Sequence, residues 1–211
     1  MYTPPAYAED DLEHLHALMR EWSFATVVSN GGEDGPMATH LPVLLDEGGP
    51  EGLGVLTTHM ARNNPQWETL EGRNALVIFQ GPHAFVSVNW YDNRKTFPTW
   101  NYGAIHAYGR VRLERDPETL RALLVRTIAT FDIPDGEWRF AEMPEDMIAP
   151  RLRAIVGLEI GVTRLEGKLK FNQDKSAADR VGVRAALSVR PAGREAAAFM
   201  GRLERRSGKG E

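Results

Sequence analysis

The chain has 211 residues, 42% of them hydrophobic and 26% charged, with a formal net charge of -4. That is the composition of one folded domain near the upper size for a single core, and it excludes disorder as the dominant state and any general attraction of the whole molecule to phosphate backbones. No cysteine is present, so a disulfide framework, a thiolate metal site and a cysteine nucleophile are excluded together, and redox chemistry would need a cofactor.

The opening stretch MYTPPAYAEDDL has neither the basic n-region nor the apolar core of a signal segment. No later run approaches the roughly 18 consecutive apolar residues of a spanning helix, so a cytoplasmic chain without membrane contact is expected. Asp10 as a cap, with Leu12, Leu15, Leu18, Met19 and Trp22 at helical spacing, predicts a helix over 10–22. Phe24 to Ser29 is a β-branched run closed by Asn30-Gly31-Gly32, and Met37 to Leu45 follows Asp34-Gly35-Pro36, which reads as a hairpin. Gly54 to His59 is a third strand. Asn64 is placed to cap a short helix over 65–71, with Pro65 at its first position, where a missing N–H costs nothing.

Asn74 to Gln80 and Ala84 to Trp90 read as two strands around Gly81-Pro82. Ala104 to Leu113 alternates, with Ile105, Ala107, Val111 and Leu113 on one face and His106, Tyr108, Arg110 and Arg112 on the other. Asp116-Pro117 starts a helix over 116–131, ended by Pro134, Asp135 and Gly136. A helical segment over 145–154 leads into a last strand, Ile155 to Leu165, then into Lys168 to Gln173 and a short helix through Ala177 to Ala186. The Ala-, Gly- and Arg-rich remainder, 188–211, is expected to be a frayed or helical tail to a single domain over 1–187. Six or seven short strands without regular βα alternation predict an α+β, mainly antiparallel fold, a barrel with helices at its margins.

Three places carry chemistry. The junction of the strand ending Thr58-His59 with the helix start at Asn63-Asn64-Pro65 offers hydroxyl, amide and, in Arg62, guanidinium groups beside unpaired first-turn N–H groups. Such a junction suits a phosphate, and it equally suits a plain capped connector. Thr39-His40-Leu41-Pro42 puts a hydroxyl and an imidazole in an otherwise apolar strand, bordering either a ligand or solvent. Phe85 to Tyr91 and Phe97 to Tyr102 are dense in aromatic and amide side chains, the composition of a planar-ligand wall, a dimer interface or a core. His14 and His16 are two apart on one helix and point to different sides, and His40, His59, His83 and His106 lie on separate strands, so no metal site is expected. The tail arginines Arg194, Arg202, Arg205 and Arg206, with Lys209, are diluted by Glu195, Glu204 and Glu211, and no helix-turn-helix is evident, so neither charge nor motif supports DNA binding.

The runs ATHLPVLLD, THMARNNPQW, VIFQGPHAFVSVNWY, PTWNYGAIHAYGRVR, LRAIVGLEI and TRLEGKLKFNQDKSAADRVGV, in this order over Met1 to Leu187, resemble the PaiB family. That family is described as FMN-binding negative transcriptional regulators on the FMN-binding split barrel, a fold shared with pyridoxamine phosphate oxidases and flavin reductases. The resemblance implies a homodimer in which Thr39, His40, Leu41 and Pro42 run along the isoalloxazine. It places Thr58, His59, Arg62, Asn63 and Asn64 at the ribityl phosphate and Gln80 near the ring. A loop carrying Trp100, Asn101 and Tyr102 is the candidate cover from the second subunit, with Lys168 and Gln173 as further contacts. The oxidases place Arg and Lys at the phosphate, where this chain has Asn63 and Asn64, leaving Arg62 and Lys168 as the cations. The resemblance implies a flavin-binding regulator. The alternatives are a flavin-dependent oxidoreductase acting on a small molecule and a module for haem or another planar ligand.

Overall fold

A computed structural model of the chain describes residues 1–31, 35–133 and 136–208. Gly32 and Asp34 of the expected hairpin turn, Pro134 and Asp135 after the second helix, and Lys209 and Glu211 of the tail lie outside the described residues. The strands are β1 (Ala8–Glu9), β2 (Phe24–Asn30), β3 (Pro36–Pro42), β4 (Leu44–Asp46), β5 (Val55–Ala61), β6 (Asn74–Val86), β7 (Thr99–Glu114) and β8 (Ile155–Lys170). The helices are α1 (Leu12–Glu21), α2 (Pro117–Phe131), α3 (Glu145–Arg153), α4 (Ala177–Ser188) and α5 (Arg194–Arg206). The strands form one sheet in the order β3-β2-β6-β7-β8-β5-β4, with β1 on β8. Among the described residues no helix is long and apolar enough to cross a membrane.

The chain divides into two compact units. The first comprises Met1–Asp11, Gln80–Ile105 and Glu166–Glu211, and the second comprises Leu12–Phe79 and His106–Leu165. In the second unit β2 pairs antiparallel with β3 (Val27↔Thr39) and with β6 (Val27↔Val77), while β5 pairs with β4 (Leu44↔Thr57) and β8 (Thr58↔Leu158). Period-two alternation turns Ala25, Val27, Leu56, Met60, Val77, Phe79, Val156 and Leu158 into its core. Leu120 of α2 with Ile148 and Leu152 of α3 form a further buried cluster. Gly109 lets two strands approach, since a Cβ there would lie 2.3 Å from the Gly161 carbonyl oxygen.

In the first unit β1 pairs with β8 (Ala8↔Lys168). Helix α4 packs on α5, with Phe171 and Phe199 rings 4.7 Å apart and Glu204 bridging Arg180 and Arg184. Gly182 is required where α4 crosses the turn at Trp90, because a Cβ there would lie 2.3 Å from the Trp90 carbonyl oxygen.

Five expectations change. The run Met37 to Leu45 is two strands, because at Val43, whose N–H bonds the Ser23 carbonyl, the chain leaves β2 and takes β5 as partner. The two strands around Gly81-Pro82 are one, β6, which runs on through Pro82 to Val86 and pairs with β2 at Leu76–Ile78. The segments Ile155 to Leu165 and Lys168 to Gln173 merge into β8 as far as Lys170. The helix over 65–71 is a 3-10 turn, Pro65–Thr69. The frayed form of the tail gives way to α5, which buries Ala196, Ala197, Phe199 and Met200.

Candidate functional site

In the second unit the end of β5 and the 3-10 turn form a tightly bonded corner. Asn64 Oδ1 accepts from the Gln66 N–H at 3.0 Å, and Asn64 Nδ2 donates to Thr39 Oγ1 at 2.8 Å. Thr39 Oγ1 in turn donates to Gln66 Oε1 at 2.5 Å, and Gln66 Nε2 donates to the carbonyls of Val27 and Met37. Gln66 is fully buried, so one side chain ties β2, β3 and the turn together. It was not singled out from the sequence because no periodicity marks it; a polar residue two after a capping Asn was its only trace.

Thr58 is buried and donates from Oγ1 to the Pro42 carbonyl at 2.7 Å. Arg62 is partly buried, with its guanidinium fixed by two backbone carbonyls, Nε to Arg153 at 2.8 Å and Nη2 to Ile155 at 3.1 Å. That geometry pre-orients a cation whose Nη1 enters neither bond. Asn63 is exposed on the same turn. Burial pushes the His59 imidazole below its ordinary value, which favours the neutral ring.

Strand alternation sorts the β3 candidates by face. Leu41 is buried, and Thr39 on the same face is held in the Gln66 network. His40 and Pro42 point the other way, with His40 Nδ1 2.8 Å from Thr26 Oγ1 and its ring stacked 6.3 Å from Phe24. The four residues therefore cannot all meet one ligand through their side chains.

In the first unit Trp100, Asn101 and Tyr102 lie in β7 and not in a loop. The period-two alternation identified over Ala104 to Leu113 continues back through them, exposing Trp100 and burying Asn101. Trp100 is 53% exposed, in an aromatic cluster with His83 at 6.2 Å and Phe85 at 6.0 Å. Asn101 faces the interior: Nδ2 contacts Met200 Sδ at 3.5 Å, and Oδ1 has no hydrogen-bond partner among the described residues. Lys168 is buried, with Nζ 5.2 Å from the Tyr102 ring and 5.8 Å from the Tyr2 ring, and donates to the Tyr2 carbonyl. Gln173 braces its own turn, accepting from the Phe171 N–H and donating to the Leu169 carbonyl. Gln80 is exposed on β6. Trp100 and Tyr102 share one face of β7, with the buried Lys168 ammonium beside the Tyr102 ring, and Asn101 and Gln173 are turned to structural partners.

Taken by itself, each unit holds residue types that a flavin uses. At the phosphate corner Thr39, Thr58 and Asn64 are consumed in internal bonds, while Arg62 and Asn63 keep capacity for an anion. An aromatic face beside a buried ammonium suits a planar ring.

A family model described as "Putative FMN-binding domain" matches residues 1–164. A protein of Bacillus subtilis (strain 168) named protease synthase and sporulation protein PAI 2 is 33% identical over 185 residues, 87% of each chain. Among solved structures, a flavocytochrome from Azotobacter vinelandii superposes with a TM-score of 0.60 at 16% identity, over 78% of this chain and 69% of that one. The FAD and heme binding protein from Mycobacterium smegmatis does so with 0.59 at 18% identity, over 83% and 78%. The structural likenesses carry the fold, a split barrel, and the sequence matches carry the kinship. The chain belongs to the PaiB family of FMN-binding split-barrel proteins.

Proposed function

We propose that the protein is an FMN-binding homodimer that acts as a flavin-responsive transcriptional regulator. The observation that carries the flavin reading is Arg62, a guanidinium held in place by two backbone carbonyls at the strand-turn junction that the family uses for the phosphate. When bound, FMN supplies a reversible redox couple and a planar ring; the chain's part is to bind and orient it. Arg62 and Asn63 would take the phosphate.

The test compares FMN with riboflavin by fluorescence quenching. FMN is expected to bind tighter than riboflavin by about tenfold or more, and Arg62→Ala to erase the difference, because a charge-assisted contact to phosphate is removed. Equal binding of the two flavins by the native chain, or no binding of either, would overturn the assignment.

Two observations support the rest of the reading. The exposed cluster of Trp100 and Phe85 is the kind of aromatic surface that interfaces enrich, which supports a second copy. The α4–α5 pair carries seven arginines against three acidic residues over 177–206, within a chain of net charge -4. Asp179 is buried, Glu204 is paired with Arg180 and Arg184, and Arg206 is paired with Glu9 and Asp11. The arginine excess of α4 and α5 taken together, not visible in the tail alone, is the feature that would meet DNA phosphates in the regulator reading. Retardation of promoter DNA that weakens steeply with salt is the expected result, and no shift at low salt would count against the regulator role.

A further inference from the structure

A cleft of about 530 Å³ opens in the second unit, with Phe24 and Pro42 on the strand side and Ile128, Phe131, Asp132 and Trp138 on the helix side. Its volume falls within the roughly 300–1,000 Å³ of small-molecule sites. Three aromatic rings converge on it and stay open to solvent: Phe24 is 70% exposed, Phe131 45% and Trp138 50%. The face of each ring carries negative quadrupole potential, so a group of rings around a cavity favours a cation over a neutral or anionic guest.

A second feature points the same way. Helix α2 runs for 15 residues and ends at this cleft, with Asp132 as its C-cap and no basic residue in its last turn. The C-terminus is the negative end of the helix dipole, where a lysine or arginine ordinarily sits, and here a carboxylate is added to it. Among the described residues Asp132 is the only charged one of the lining, and its Oδ1 accepts from the Ile133 N–H at 2.8 Å. Arg139, close by in sequence, is turned to the carbonyls of Gly136 and Trp138.

We propose that this cleft, an aromatic group set against the uncompensated C-terminus of α2, binds an organic cation bearing apolar or aromatic substituents. Apolar walls remove water from the guest, and the carboxylate and helix end supply the counter-charge; an anion of the same shape would meet like charge. Arg62 does not line this cleft, but Pro42 does, and its carbonyl accepts from Thr58, so the titration is made both with and without FMN.

The experiment is isothermal titration of the full chain, with and without FMN, using tetraphenylphosphonium and tetraphenylborate, ions of nearly the same shape and opposite charge. The phosphonium is expected to bind one per chain and at least tenfold more tightly than the borate. Trp138→Ala should weaken the phosphonium by about tenfold, the scale of a partly desolvated cation–π contact, and Asp132→Asn should narrow the gap between the two ions. Both side chains are exposed, and thermal melts of the variants check the fold; if Trp138→Ala unfolds, Asp132→Asn decides. Equal affinity for the two ions, no phosphonium binding, or unchanged selectivity in Asp132→Asn would each overturn the proposal. Loss of FMN binding with phosphonium binding intact would instead count against the flavin reading alone.

Discussion

Gln66 bears on stability more directly than any residue at the phosphate corner. Its amide supplies both strand carbonyls of Val27 and Met37 and accepts from Thr39, all within a fully buried position. Gln66→Leu leaves those carbonyls without a donor, and the expected loss is about 2–4 kcal/mol, measured from urea unfolding. His59 acts at the same scale through pH. Burial holds its folded pKa below the ordinary value, so below about pH 6.5 the unfolded chain binds the proton more readily than the folded one. Stability contributed by this residue is therefore complete above the unfolded value and lost as the pH falls toward the folded one. Urea midpoints measured from about pH 8 to pH 5 should fall less steeply in His59→Gln than in the native chain; parallel profiles would contradict the assignment.

At the scale of elements, α5 shows how far composition misleads. Its Ala- and Arg-rich sequence was compatible with a frayed tail, but Phe199 and Met200 recur with Ala196 and Ala197 on one helical face and are buried. Phe199→Ala removes the ring packed at a tilt on Phe171 and should cost about 3–5 kcal/mol, with limited proteolysis cutting first within α5. Gly182→Ala should also destabilise, because its new methyl group would meet the Trp90 carbonyl, and the thermal midpoint reports it. Neither requirement was legible in the sequence, where Gly182 reads as an ordinary helix glycine and Phe199 as a lone aromatic.

At the scale of the whole molecule, β6, β7 and β8 each contribute residues to both compact units. On the proposed homodimer, the exposed Trp100 and Phe85 belong to the interface. Trp100→Glu should then convert a species of twice the chain mass into one of the single-chain mass by sedimentation equilibrium, while a native chain that is already monomeric would remove the dimer from the reading.

The sequence by itself determined the element types and the kinship. Period-two runs such as Ile105 to Leu113, helical spacing such as Leu120 to Phe131, and motifs in series are local properties, readable without knowing partners. The capping of the 3-10 turn by Asn64 was legible for the same reason. Only the tertiary structure decided what each candidate side chain is spent on: that Thr39 and Asn64 serve Gln66, that Asn101 faces Met200, and that Arg62 rests on carbonyls 91 and 93 residues away. Hydrogen bonds of that reach are set by which strands come together, and no window of sequence contains both ends of them.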